Sequence, residues 1–151
     1  MKQILVLLTM MLAVNAGIRA QSTEDSVKAT INQFFDGLRN ADAQMVQYAF
    51  TDSAILQTVV VNREGKVSVR TEPLNGFAQV LSQQKKGDLD ERIEFETIKI
   101  DGPMATVWTP YKFYFQGNFS HCGVNSFQLV RLNGTWKIQY VIDTRRRQGC
   151  E

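Results

Sequence analysis

An α+β domain is what this sequence predicts: three helices, then a curved antiparallel sheet folded around the first of them. Three observations lead there. Apolar residues recur at helical spacing between Ser22 and Phe50 and again after Asn75. From Ala54 onward most of the chain changes to the period-two alternation of strands. Turn signals, the Asn133-Gly134 pair foremost, divide that second part into hairpins.

The first element is not part of the fold. Lys2 gives a basic start, Ile4 to Val14 is apolar, and Ala20 offers a small residue before Gln21. Residues 1–20 read as a secretory signal peptide, cleaved after Ala20 or Ala16 and too short for a stable membrane span. No cysteine follows the apolar run, which argues against a lipid anchor. Residues 21–151 read as a single domain without linker, repeat or low-complexity segment. The whole chain carries 17 Lys+Arg against 15 Asp+Glu, and loss of Lys2 and Arg19 leaves 15 of each. That neutrality excludes the usual electrostatic footprint of a nucleic-acid binder. Arg145-Arg146-Arg147 reads as a solvated tail.

Ser22 can cap the first helix with Asp25 three residues on, and Val27, Ile31, Phe34, Phe35 and Leu38 fall on one face. Asp42 can cap a short second helix carrying Met45, Val46 and Phe50. Ile55 to Val61 and Lys66 to Thr71 flank Arg63-Glu64-Gly65 as a hairpin. Asn75 can cap a third helix with Phe77, Val80 and Leu81 on one face, ending near Gly87. Arg92 to Ile100 reads as one strand of imperfect period, and Asp101-Gly102 as a tight turn. Met104 to Gln116 is a long aromatic strand in which Pro110 predicts a bulge or bend. Gly117-Asn118 turns the chain, and His121 to Leu132 pairs with Thr135 to Arg145 across Asn133-Gly134.

A two-residue turn at Asn133-Gly134 places Leu132 opposite Thr135, Leu129 opposite Ile138, Phe127 opposite Tyr140, Asn125 opposite Ile142 and His121 opposite Arg146. One face is then apolar and becomes polar toward Asn125 and His121, while Asp143 points away unless a bulge re-aims it. A bulge at Thr109-Pro110 would put Trp108, Tyr111 and Phe113 on that same face and keep Lys112 out of the core. The candidate ligand-binding residues are therefore Trp108, Tyr111, Phe113, His121, Asn125 and Tyr140. His121 is the chain's one histidine and the first candidate for chemistry near neutral pH. Of the two cysteines, Cys122 and Cys150, an oxidising compartment favours a disulfide; free thiols and a catalytic cysteine are the alternatives. Two cysteines and one histidine supply too few ligands for a metal site, and neither metal nor cofactor is expected. Asn118-Phe-Ser120 and Asn133-Gly-Thr135 match the glycosylation pattern at hairpin tips and are expected to be exposed.

The element order, with the stretches Ala105 to Phe113, Phe119 to Val124 and Trp136 to Arg145, resembles the nuclear transport factor 2-like superfamily over roughly Thr23 to Arg145. The closer resemblance is to small exported bacterial members of the lumazine-binding-like or SnoaL-like type. It implies a cone-shaped, cystatin-like fold enclosing a pocket, and a periplasmic or secreted binder of a small apolar or aromatic molecule. The superfamily's isomerases and dehydratases imply an alternative, a lyase or isomerase using His121 as base with a carboxylate partner. A ketosteroid-isomerase-like site would need two acids in the cone, yet Asp52 lies near a helix end and Asp143 reads outward. A structural module that pairs as a homodimer through the sheet is the third implication.

Overall fold

The computed structural model describes residues 22–150, so the expected signal peptide lies outside the described residues. The chain runs α1 (Thr23–Asn40), α2 (Ala43–Ala49), β1 (Phe50–Val61), β2 (Val67–Glu72), α3 (Leu74–Leu81), β3 (Leu89–Ile93), β4 (Thr97–Asp101), β5 (Met104–Phe115), β6 (Asn118–Leu132) and β7 (Thr135–Thr144). The strands form one curved, unclosed sheet in the order β2-β1-β7-β6-β5-β3, with β4 pairing the other half of β5.

α1 begins where the sequence predicts. Ser22 accepts from the Asp25 amide, and the Asp25 side chain accepts from the Ser22 amide, which satisfies two otherwise unpaired donors. Its Val27, Ile31, Phe34, Phe35 and Leu38 are all buried against the sheet. Phe127 at the core centre is fully buried and meets Phe34 and Phe35 edge-on, at 6.3 and 6.1 Å between centroids. Asp42 caps α2 as expected. The two helices approach so closely at Gly37 that a Cβ there would lie 2.8 Å from Val46 Cγ2. α3 begins two positions earlier than expected: Pro73, not Asn75, is its N-cap, and Val80 faces solvent. Proline's fixed φ suits a helix entrance without needing a capping side chain.

Several expectations about the sheet are corrected. The sheet is mixed, because β1 and β7 pair in parallel while the other neighbours are antiparallel. A parallel pair needs a long crossover, and everything between β1 and β7 supplies it. Arg92 to Ile100 is two strands, interrupted at Glu94–Glu96. The interruption lies opposite Pro110, whose carbonyl accepts from the Glu94 amide at 3.0 Å. In an antiparallel ladder a residue's N–H and C=O point to the same neighbour, so the donor that Pro110 lacks falls where the edge strand breaks. Consequently β5 pairs with β6 in unbroken register from Met104 to Phe113, with no bulge at Pro110. The hairpin turns before β5 and β6 sit at Gly102-Pro103 and Gln116-Gly117, the latter with φ 50° and 79°. Asn133-Gly134 forms the predicted turn, with φ 50° and 84°.

The decisive correction is in β7. Leu129 opposes Ile138 as expected, but Gln128 opposes Tyr140, so Gln139 is an extra residue. Beyond it every side chain changes face: Val141 opposes Phe127, and Asp143 opposes Asn125. The Gln139 amide stabilises this bulge by accepting from Thr51 Oγ1 at 2.8 Å and donating to the Ser53 carbonyl at 3.2 Å. Those partners lie in the part of β1 where its own register with β7 shifts.

Cys122 and Cys150 are joined by a disulfide, which ties the C-terminal tail to β6 beside the Cys122–Arg146 backbone bridge. Asn118 and Asn133 are both exposed at hairpin turns. No helix among the described residues is long and apolar enough to cross a membrane.

Candidate functional site

One end of the concave face is fully apolar, with Phe127, Leu129 and Ile138 inaccessible to solvent. At the other end, side chains from five strands bring polar groups together. Asn125 Nδ2 donates to Glu91 Oε1 at 2.8 Å. Tyr111 Oη lies 2.9 Å from the Thr144 carbonyl and 3.2 Å from Asp143 Oδ2, so its single proton serves the two acceptors. Arg145 Nε holds the same Asp143 oxygen at 2.8 Å, and its Nη2 donates to Thr58 Oγ1 at 3.3 Å. Arg145 thus joins the cluster through Asp143 and Thr58 although its side chain is 48% exposed; Arg146 and Arg147 are exposed as well.

Gly123 makes the arrangement possible. It pairs with Tyr111 across the strands, and a Cβ there would sit 1.8 Å from the Thr144 carbonyl oxygen and 2.8 Å from Tyr111 Cε1. Only a residue without a side chain lets the Tyr111 ring cross over β6 and reach β7.

The sequence-predicted residues divide into two groups. Tyr111, Phe113, His121 and Asn125 lie on the concave face. Trp108 and Tyr140 lie on the opposite, convex face. Trp108 is turned outward because β5 keeps its alternation through Pro110, and it is 45% exposed. Tyr140 is turned outward by the Gln139 bulge and donates to Gln57 Oε1 at 2.8 Å. Two acids that sequence reasoning left out of the site, Glu91 and Asp143, take their place. The signal for Glu91 was present: Leu89, Glu91 and Ile93 alternate onto one face, which sets an acid between two inward apolar residues. For Asp143 no local signal exists, since its direction depends on the bulge.

Electrostatics follow from this enclosure. Burial raises the Glu91 carboxyl to about 7; the Asn125 hydrogen bond opposes the rise, and the nearby Asp143 adds to it. Glu91 retains some accessible surface while its carboxyl is surrounded by protein. Tyr111 is held in its neutral form by burial and by the charges of Glu91 and Asp143. Burial alone would weaken protonation of Arg145, but Asp143 more than offsets it. His121 is shifted down, first by burial and then by Arg145. Its Nδ1 lies 3.0 Å from Ser120 Oγ, and its ring packs on Phe113 at 5.0 Å and edge-on to Tyr111 at 5.7 Å. Among the described residues no carboxylate hydrogen-bonds His121.

The interior behind these groups is filled by Val107, Thr109 and Phe127, each at most 1% exposed, so the polar groups lie against a packed core rather than around an enclosed cone pocket. Thr109 Oγ1, beside Asn125 in the ladder, has no hydrogen-bond partner among the described residues. Two surface hollows lie elsewhere. One of about 570 Å³ adjoins the β5–β6 turn, between Phe115, Phe119, Ser120 and Arg147. The other, about 520 Å³, lies between α2 and α3, beside Asp52 and Asn75.

Comparisons agree with this architecture. A family profile described as putative lumazine-binding matches residues 22–140. Curated proteins give no match. A nuclear transport factor 2-like protein of unknown function from Shewanella baltica superposes with TM-score 0.64 at 16% identity, covering 83% of this chain and 94% of that one. A protein of unknown function with a cystatin-like fold from Nostoc punctiforme gives 0.65 at 13% identity, covering 84% and 95%. A nuclear transport factor 2-like protein of unknown function from Methylobacillus flagellatus gives 0.61 at 18%, covering 83% and 94%. At these identities the likeness is one of fold.

Proposed function

Since this chain belongs to the putative lumazine-binding family, on the nuclear transport factor 2-like fold, we propose that it binds a small, flat, largely apolar molecule at the polar end of its concave sheet. The observation that carries this reading is the convergence of Glu91, Tyr111, Asn125 and Asp143 beside the rings of Phe113 and His121. A few oriented polar groups beside an aromatic wall are what a small-molecule site needs. We further propose export under the signal peptide of residues 1–20, leaving 21–151 as the mature domain; the disulfide supports an oxidising destination.

Lumazine is the first compound to test, by fluorescence titration of the oxidised protein, with mass spectrometry of small molecules that co-purify as the unbiased arm. Saturable binding to one site is the expected result, and its absence in both arms would overturn the reading. His121→Ala should weaken binding about tenfold while changing the urea midpoint little, because a half-buried histidine toward the start of β6 carries little core packing. A lyase or isomerase working through His121 is less well supported, since its hydrogen bond goes to Ser120 and not to a carboxylate.

One observation favours homodimer formation as a second reading. The convex face exposes Trp108, Ile55, Val67 and Val69, at 45, 45, 62 and 52%. Light scattering should then give twice the monomer mass, and Trp108→Glu should restore the monomer.

A further inference from the structure

Arg147 stands apart from the two arginines before it. Arg145 is held by Asp143, and Arg146 Nε donates to the Gly149 carbonyl at 3.2 Å. Arg147 makes no ion pair among the described residues. It borders the hollow of about 570 Å³ at the β5–β6 turn, which Phe115, Gln116, Asn118, Phe119 and Ser120 also line. Phe115 and Phe119 are 43 and 46% exposed, so ring surface there is open to a ligand. No acidic side chain is among the described residues that line the hollow. β6 carries an extra residue at this point: Phe113 opposes His121 while Tyr114 opposes Phe119, which leaves Ser120 without a partner in the ladder. Two attachments to Cys122, two residues beyond Ser120, bracket Arg147. Arg146 exchanges backbone hydrogen bonds with Cys122 at 2.8 and 2.9 Å, and Cys150 is joined to Cys122 by the disulfide. Neither cysteine belongs to the packed core, so what the bridge orders is the tail that carries Arg147.

This arrangement defines a ligand chemistry. A cation would meet Arg147 and find no carboxylate on the wall. A neutral aromatic molecule would use the two phenyl rings and leave the guanidinium idle. An aromatic anion uses both, because a carboxylate matches the guanidinium fork with two charge-assisted hydrogen bonds. Arginine stays charged throughout the accessible pH range, so this complementarity depends on no protonation state. We propose that the hollow at the β5–β6 turn is a second binding site, separate from the polar cluster around Glu91, for a planar aromatic molecule carrying one carboxylate. Phe115 and Phe119 receive the ring, Arg147 pairs with the carboxylate, and the Cys122–Cys150 disulfide holds Arg147 within reach. Fixing the cation before the ligand arrives removes part of the ordering cost of binding.

The test compares 2-naphthoate with 2-naphthamide, which keeps the ring and lacks the charge, by calorimetric titration of the oxidised protein. For the wild type the expected result is saturable binding of naphthoate to one site, about tenfold tighter than the amide and weakened by added salt. Arg147→Gln should bring naphthoate down to the affinity of the amide and leave the amide unchanged. Phe119→Ala should weaken both compounds alike. Replacing both cysteines by serine keeps Arg147 but frees the tail, and should weaken naphthoate by about threefold or more. Equal affinity of the wild type for the two compounds would overturn the proposal. So would naphthoate binding that Arg147→Gln leaves intact, or no naphthoate binding at all. Undiminished binding by the serine variant would overturn the part assigned to the disulfide. If that variant does not fold, Arg147→Gln, a change at an exposed tail residue, still decides the proposal. The reading of the polar cluster is tested separately, by lumazine, and survives any of these failures.

Discussion

Glu91 and His121 titrate in opposite senses, and the fold feels both. Glu91 is raised from 4.5 to about 7 by burial, so the folded chain keeps a proton that the unfolded chain has lost. Its stabilising contribution is fully present below about pH 4.5 and disappears as the pH rises through 7. A shift of that size corresponds to at most about 3 kcal/mol. His121 is lowered from 6.5 by burial and by Arg145, so its contribution is present above that value and is lost on acidification. The wild-type urea midpoint should therefore fall as the pH is raised from about 6 to about 8. Glu91→Gln should abolish that fall and be the more stable protein at the alkaline end. A wild-type midpoint that stays flat would show that Glu91 is better solvated than the structure indicates.

At the scale of elements, one inserted residue governs the site. Gln139 changes the facing of everything after it in β7, which brings Asp143 to Tyr111 and sends Tyr140 outward. Its side chain holds the bulge through Thr51 and Ser53. Gln139→Ala removes both partners and should cost about 1–2 kcal/mol in urea unfolding. Because Asp143 depends on the bulge, faster amide exchange at Val141 and Asp143 should accompany the loss, with exchange near Asn133-Gly134 unchanged. Uniform acceleration along the hairpin would instead indicate general destabilisation. Pro110 illustrates the converse: its missing donor leaves its own strand regular and interrupts the neighbouring edge at Glu94–Glu96.

On the scale of the whole molecule, the disulfide closes the chain's last segment. Cys122 and Cys150 are 28 residues apart, and closing a loop of that length stabilises by about 3 to 4 kcal/mol on the chain-entropy relation. The bridge also fixes the tail one strand-pair beyond the Arg145–Asp143 contact. Reduction, or the double replacement of both cysteines by serine, should lower the unfolding free energy by about that amount. The fold should survive, since the core of α1 against β5, β6 and β7 contains neither cysteine among its packed residues. Loss of far-ultraviolet dichroism on reduction alone would contradict this.

What the sequence determined by itself is local. The caps of α1 and α2, the buried stripe of α1 and the Asn133-Gly134 turn each depend on residues within a few positions of one another, and the structure agrees with all of them. The concave placement of His121 and Asn125 followed from alternation along β6, whereas that of Tyr111 and Phe113 was expected from a bulge at Thr109-Pro110 that β5 does not have. The facing of Trp108 and Tyr140 and the entry of Glu91 and Asp143 into the site were decided by tertiary structure. In each case the deciding partner is remote in sequence: β4 and β3 for the break opposite Pro110, β1 for the bulge at Gln139, and the Thr144 carbonyl for the close approach at Gly123. A strand's period of two makes facing sensitive to one inserted residue, and where that insertion is stabilised depends on which backbone groups a distant strand leaves to be satisfied.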